Sequence, residues 1–259
     1  LLKKAGVISF TNFWACGTST AVSVPCIFAL DGSKGSGGKP TEENLLDVMQ
    51  RSGANVLWRD NNSDSKGVAL RVPYQDYKSP GTNTICDVEC RDVGMLVGLQ
   101  EYIDAHPKGD IVVVLHQMGN HGPAYYRRYP PAFERFKPAC RSNDLSQCSR
   151  EEIDNAYDNA ILYTDYFLAE AIELLKKNDE RFETALIYFS DHGESLGEHG
   201  IYLHGLPRAF APDAQVHVPV LIWVGARVND VDVPALRRKR DSRFTHDYIF
   251  HTILGFLEI

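Results

Sequence analysis

The sequence predicts an α/β fold, a mainly parallel, doubly wound sheet covered by helices. Three observations carry this expectation. The runs Asn55–Trp58, Asp110–Leu115, Ala185–Ser190 and Val218–Val224 are nearly continuously apolar rather than alternating, as suits strands buried on both faces. Helical patterns lie between them. Two of the runs lead directly into polar turns rich in His and Asp, beyond the carboxyl ends of strands, where such sheets bind ligands.

Along the chain, Leu1–Ala5 reads as a helix end stopped by Gly6. That is how the middle of a domain looks, and the chain is expected to be cut from something longer. Thr20 stands before an apolar stretch and can cap a helix, which Pro25 would shorten or kink. Thr41 is expected to cap a helix reaching Arg51, with Glu42 and Glu43 in its first turn, where the helix dipole favours negative charge. Asn44 occupies the third position after Thr41, so no full capping box is expected there. Gly94–Ala105 is a second helical pattern. The longest runs over Ser149–Lys177, with Ser149 as cap and Glu152 at the reciprocal position of a capping box. Its apolar stripe includes Ile153, Ala160, Phe167, Leu168 and Ile172. His246–Leu257 closes the chain as a short helix. Residues 31–39, 61–67, 74–92 and 123–148 read as loops.

With 259 residues, 44% hydrophobic and 24% charged, the chain suits one large domain with a sizeable core. A net charge of −7 excludes a global basic field for nucleic acid. The run Arg237, Arg238, Lys239, Arg240 is read as a solvated loop, with an anionic-membrane contact as the alternative. No apolar run reaches the ~18 residues of a membrane span, and no signal peptide opens the chain.

The six cysteines form three close pairs in sequence. Three local disulfides, Cys16–Cys26, Cys86–Cys90 and Cys140–Cys148, are the simplest arrangement and imply an oxidising compartment. Reduced core thiols are the alternative, against which the polar surroundings of Cys86 and Cys140 argue. A zinc-finger reading lacks any CxxC.

Two stretches carry chemistry. Asp191-His192-Gly193 leaves a buried strand and sets two good zinc ligands at the sheet's rim. A hydrogen-bonded turn is the plain alternative, but His121, His199 and His204 lie in loops that can converge there. In Cys16-Gly17-Thr18-Ser19-Thr20 through Cys26, Thr20 is either only a cap or a residue at a helix N-terminus that faces an anion. A Cys16–Cys26 bridge would brace that turn. An unassisted threonine is a poor nucleophile; zinc coordination lowers its pKa and supplies the alkoxide.

The stretches CGTSTAVSVPC (16–26), NHGP (120–123), SDHGESLGE (190–198) and GIYLHGLP (200–207) resemble the lipid A phosphoethanolamine transferases, the group that includes the mobilised colistin-resistance enzymes. The likeness runs over essentially the whole chain. It implies an alkaline-phosphatase-like α/β/α sandwich at the periplasmic face of the inner membrane, with a multi-pass membrane domain preceding it. Phosphatidylethanolamine would be donor and a lipid A phosphate acceptor, with polymyxin resistance as the result. Thr20 matches the family's nucleophile, and Asp191 and His192 its zinc ligands. His121 and His204 match residues that contact the transferred phosphate or a second zinc. Asn62 and Lys66 match the pocket for the phosphoethanolamine group. A monomer is expected.

One departure stands out. The family's zinc site also uses a glutamate at the end of an earlier strand, and nothing like it occurs between Leu1 and Thr20. The first strand of the sheet and one metal ligand are thus expected to lie outside this chain, unless Glu194 or His199 substitutes. The remaining rivals are a phosphoglycerol transferase, a transferase acting on a glycan or protein, and an inactive headgroup-binding fragment. A sulfatase reading fails because no Cys-x-Pro-x-Arg context surrounds Cys16 or Cys26.

Overall fold

The computed structural model describes residues 1–35 and 41–259, so part of the expected 31–39 loop lies outside the described residues. The first half of the chain forms β1 (Ile8–Trp14), α1 (Thr20–Phe28), α2 (Leu45–Arg51), β2 (Asn55–Asp60), β3 (Tyr74–Asp76), α3 (Leu99–Ala105) and β4 (Ile111–His116). The second half adds α4 (Arg150–Lys176), β5 (Ala185–Phe189), β6 (Ser195–Leu196), β7 (Tyr202–Leu203), β8 (His217–Val224), α5 (Val233–Lys239), β9 (Phe244–Thr245) and α6 (Ile249–Phe256). All three local disulfides are formed: Cys16–Cys26, Cys86–Cys90 and Cys140–Cys148.

The strands pair in the orders β3-β2-β4 and β5-β8-β1-β9, with β6 and β7 as a separate hairpin. β2 is parallel to both β3 and β4, and β1 is parallel to β9. β8 runs antiparallel to β1 and β5. The four apolar runs became β2, β4, β5 and β8, and their alternate side chains enter two layers. Val112, Val114, Ile187, Phe189, Val220 and Ile222 join the core under α1, α2 and α6. On the other face Leu115, Leu186, Tyr188 and Leu221 meet Phe167 and Leu168 of α4. A strand covered on both sides has no polar face, which is why these runs read as continuous.

β1 was not anticipated. Its side chains alternate, with Ile8 and Phe10 buried and Ser9 and Thr11 exposed, until a shift of register between Phe10 and Phe13. β4 pairs with β2, and β5 with β8; among the described residues no ladder joins β4 to β5.

Several boundaries moved. α2 starts at Leu45 rather than near Thr41, because Asn44 and Asp47 close a full capping box at that point. The Gly94–Ala105 pattern divides into a 3₁₀ turn over Asp92–Leu96 and α3, parted by Gly98 at φ 74°. That left-handed conformation is cheap for glycine alone. Residues 246–248 form a 3₁₀ turn before α6, and the first residues form turns rather than a helix end. α4 begins as expected on the Ser149–Glu152 capping box. No helix of the described residues is long and apolar enough to cross a membrane.

Candidate active site

The site collects at the carboxyl ends of β1, β2, β4 and β5. β1 delivers the Cys16–Thr20 turn. Here Ser19, not Thr20, is the N-cap of α1, and its side chain makes no capping bond. Thr20 is therefore the first residue of the helix, and its hydroxyl is not spent on a cap. The turn is held from several sides. Cys16–Cys26 ties it to the second turn of its own helix. Gly17 N–H donates to Ser23 Oγ at 3.1 Å. Thr18 Oγ donates to Leu206 O at 2.7 Å, and Gly205 N–H to Thr18 O at 2.8 Å.

β5 delivers Ser190, Asp191 and His192. Ser190 Oγ donates to His192 O at 2.6 Å, folding the turn on itself. Gly193 N–H donates to Gln215 O at 2.9 Å. A Cβ at Gly193 would stand 2.0 Å from Ala214 O, so only glycine lets the turn approach the 3₁₀ turn over Asp213–Gln215. His192 Nδ1 lies 2.9 Å from Gly193 O. A carbonyl only accepts, so Nδ1 carries a proton, and the ring turns Nε2 toward Thr20 and Asp191. That Nε2 is 3.3 Å from Thr20 Oγ and 3.7 Å from Asp191 Oδ2.

The last strand end, β4, leads into Met118-Gly119-Asn120-His121. Asp92 anchors this loop from below, buried and accepting from Met118 N–H (2.9 Å), Gly119 N–H (2.9 Å) and Asn61 Nδ2 (2.7 Å). Burial holds its carboxyl above the usual range. Arg128 Nε donates to His121 O at 2.6 Å. His121 Nδ1 is 2.8 Å from Gly122 O. His204, just past β7, turns Nδ1 to Glu194 at 3.1 Å, and Glu194 also accepts from Gly122 N–H at 3.3 Å.

His121, His192 and His204 thus share one design. In each, Nδ1 is engaged with an oxygen, which leaves Nε2 available. One ring nitrogen of each lies within 4.8 Å of the others. Burial lowers the pKa of His121, whereas the hydrogen bond to Glu194 raises that of His204. Asp191 Oδ2 is buried with no hydrogen-bond partner. A buried carboxylate oxygen with no hydrogen-bond donor, 3.7 Å from an imidazole nitrogen, suits a cation. The donor set, with imidazoles oriented by oxygens behind them, fits a zinc-type ion.

The structure therefore brings together Thr20, Asp191, His192, His121 and His204. Asn62 and Lys66 lie in the neighbouring turn after β2. Asn62 Nδ2 donates to Gln117 O at 2.8 Å, on the strand-end segment that leads to His121. Lys66 Nζ pairs with Asp64 at 3.3 Å. Glu194 faces His204 and the Gly122 backbone. His199 is exposed and outside the histidine group. Sequence reasoning passed over Asp92 and Arg128. Their only signal is a charge in an otherwise ordinary loop, and their partners, the Met118, Gly119 and His121 backbone together with Asn61 and Glu89, lie far along the chain where no local pattern reveals them.

The sulfatase family model matches residues 1–259. The chain is 47% identical over 268 residues to phosphatidylethanolamine transferase Mcr-2 of Escherichia coli, covering 100% of this chain and 49% of that one. It is 47% identical over 261 residues to phosphoethanolamine transferase EptA of Salmonella typhimurium, covering 98% and 48%. It thus spans about half the length of these curated relatives. The soluble domain of lipooligosaccharide phosphoethanolamine transferase A from Neisseria meningitidis superposes with a TM-score of 0.92 at 36% identity, over 99% of this chain and 78% of that one. Sequence and structure agree that this chain belongs to the sulfatase family and to its phosphoethanolamine transferase branch.

Proposed function

We propose that the chain is the catalytic domain of a zinc-dependent transferase that moves phosphoethanolamine from phosphatidylethanolamine to a lipid A phosphate. The observation that carries this reading is the placement of the Thr20 hydroxyl at the start of α1, 3.3 Å from His192 Nε2, which is itself 3.7 Å from the unpartnered Asp191 Oδ2. Thr20, Asp191 and His192 would hold the ion. When bound, it lowers the pKa of the hydroxyl it touches and favours an anionic oxygen.

The Thr20 hydroxyl gives up its proton to a neighbouring imidazole as its oxygen attacks the phosphorus of the donor and the bond to the diacylglycerol oxygen breaks. His121 or His204 gives that leaving oxygen its proton. Phosphoethanolamine then stays on Thr20. An oxygen of the lipid A phosphate attacks the same phosphorus, and the Thr20 oxygen leaves and regains a proton. The N-terminus of α1 stabilises the charge on the phosphoryl oxygens. Asn62 and Lys66 receive the headgroup.

The same reading places the chain at the periplasmic face of the inner membrane, after a membrane domain, with a less anionic cell surface and polymyxin resistance as the outcome.

The test is to incubate the protein with zinc and phosphatidylethanolamine vesicles and measure the mass of the peptide carrying Thr20. One added phosphoethanolamine group on Thr20 is expected. An unmodified peptide from zinc-loaded protein would point to a headgroup-binding fragment or another donor.

A further inference from the structure

His246 sits behind both reactive turns and touches neither the reacting atoms nor the ligand atoms described above. It follows β9 and is 1% exposed. Its ring lies among Phe13 near the end of β1 and Phe189 at the end of β5, at centroid distances of 6.0 and 6.2 Å. Its Nδ1 is 3.2 Å from Cys16 N, and its Nε2 is 3.0 Å from Ser190 O.

These two partners determine the state of the ring. A backbone N–H only donates, so Nδ1 must be a bare acceptor. A backbone carbonyl only accepts, so Nε2 must carry the proton. The ring is therefore neutral and in a single tautomer. Burial acts in the same direction, pushing its pKa down to about 4.

The position matters because β1 and β5 are not neighbours in the sheet. β8 separates them, so the ladder connects the two turns only through a third strand. His246 spans that gap in one side chain. At one end it holds Cys16, which the disulfide to Cys26 makes part of the α1 unit. At the other it holds Ser190, next to Asp191 and folded onto His192 O.

We propose that His246, as the neutral Nε2–H tautomer, is a positioning residue that sets the separation between the Thr20 turn and the Asp191–His192 turn. The inference rests on the roles proposed above for Thr20, Asp191 and His192. Small misplacement of reacting groups is expensive in rate even when binding is unchanged.

The test pairs a spectroscopic and a kinetic measurement. In protein labelled with ¹⁵N-histidine, His246 should show an unprotonated Nδ1 and a protonated Nε2 that hold from about pH 8 to about pH 5. An imidazolium or an Nδ1–H ring in that range overturns the proposal, whatever the fate of any variant. His246→Asn offers a group near the place of Nδ1, and His246→Gln one near the place of Nε2, so neither makes both bonds. Each should lower kcat from phosphatidylethanolamine vesicles by about 10- to 100-fold with KM within about twofold. Ser149→Ala, remote from the site, serves as a control for general loss of stability. A kcat within about twofold of the parent in either His246 variant, or an equal loss in Ser149→Ala, removes the positioning role. If instead Thr20 is never modified in the parent protein, the proposed function fails while the tautomer measurement still stands.

Discussion

α1 and α4 begin on the same kind of residue and use it in opposite ways. At α4, Ser149 Oγ accepts from Glu152 N–H at 3.3 Å, and Ser149 N–H donates to Glu152 Oε2 at 2.7 Å. Glu151 and Glu152 add negative charge to the first turn. The helix start is satisfied and inert, which is worth about 1 kcal/mol. At α1, Ser19 makes no side-chain cap, and no acidic residue stands in the first turn. The positive end of that helix is left uncompensated, and a disulfide and the Gly17–Ser23 bond brace it instead. Where backbone donors are wanted for a ligand, order has to come from elsewhere than a cap.

The largest test of this contrast is Thr20→Ala, which should lower transfer by about 10⁴-fold or more in an assay with phosphatidylethanolamine vesicles. A loss below about tenfold would move the nucleophile elsewhere.

The second test concerns the buried support beneath α1. His246 has a folded pKa near 4 against an ordinary value of 6.5. Between those values the unfolded chain takes up a proton that the folded one refuses, so stability falls as pH drops through this window. Urea unfolding should show about 2 kcal/mol lost from this group between pH 6.5 and about pH 5. His246→Gln should lack that component; an unchanged pH slope would mean that the ring does not titrate in this way.

A third variant makes the two helices alike. Ser19→Asp supplies α1 with a capping carboxylate and negative charge where the phosphoryl group is expected. It should raise stability by about 1 kcal/mol and slow kcat by about tenfold. Unchanged kcat would show that the N-terminus of α1 does not meet the phosphate. The smallest effects separate the caps themselves. Ser149→Ala should cost about 1 kcal/mol of stability by thermal unfolding, Ser19→Ala only a few tenths. Equal losses would erase the contrast.

Much of the site was legible because its residues are local. Asp191 and His192 are adjacent, and Thr20 lies between two cysteines ten positions apart. The continuous apolar runs betrayed strands covered on both faces, and close spacing of the cysteines foretold their pairing. β1 escaped because its alternation breaks where the register shifts between Phe10 and Phe13. The start of α2 escaped because Thr41 and Asn44 are both good caps, and the choice fell to Asn44, whose Nδ2 also donates to Val68 O at 2.9 Å. That second bond is a tertiary contact across 24 residues, which no local pattern contains.

By itself the sequence determined the layered α/β class, the three disulfides and the candidate residue types on which the proposed phosphoryl transfer rests. These follow from periodicity, spacing and side-chain chemistry, all short-range properties. Only the tertiary structure decided which atoms meet. It chose Ser19 over Thr20 as the cap, turned Glu194 to His204 and aligned three imidazoles with Nδ1 engaged. It also set His246 between strands that never pair. Each of these depends on a partner far along the chain, and a hydrogen bond is decided by distance and angle in space, not by separation in sequence.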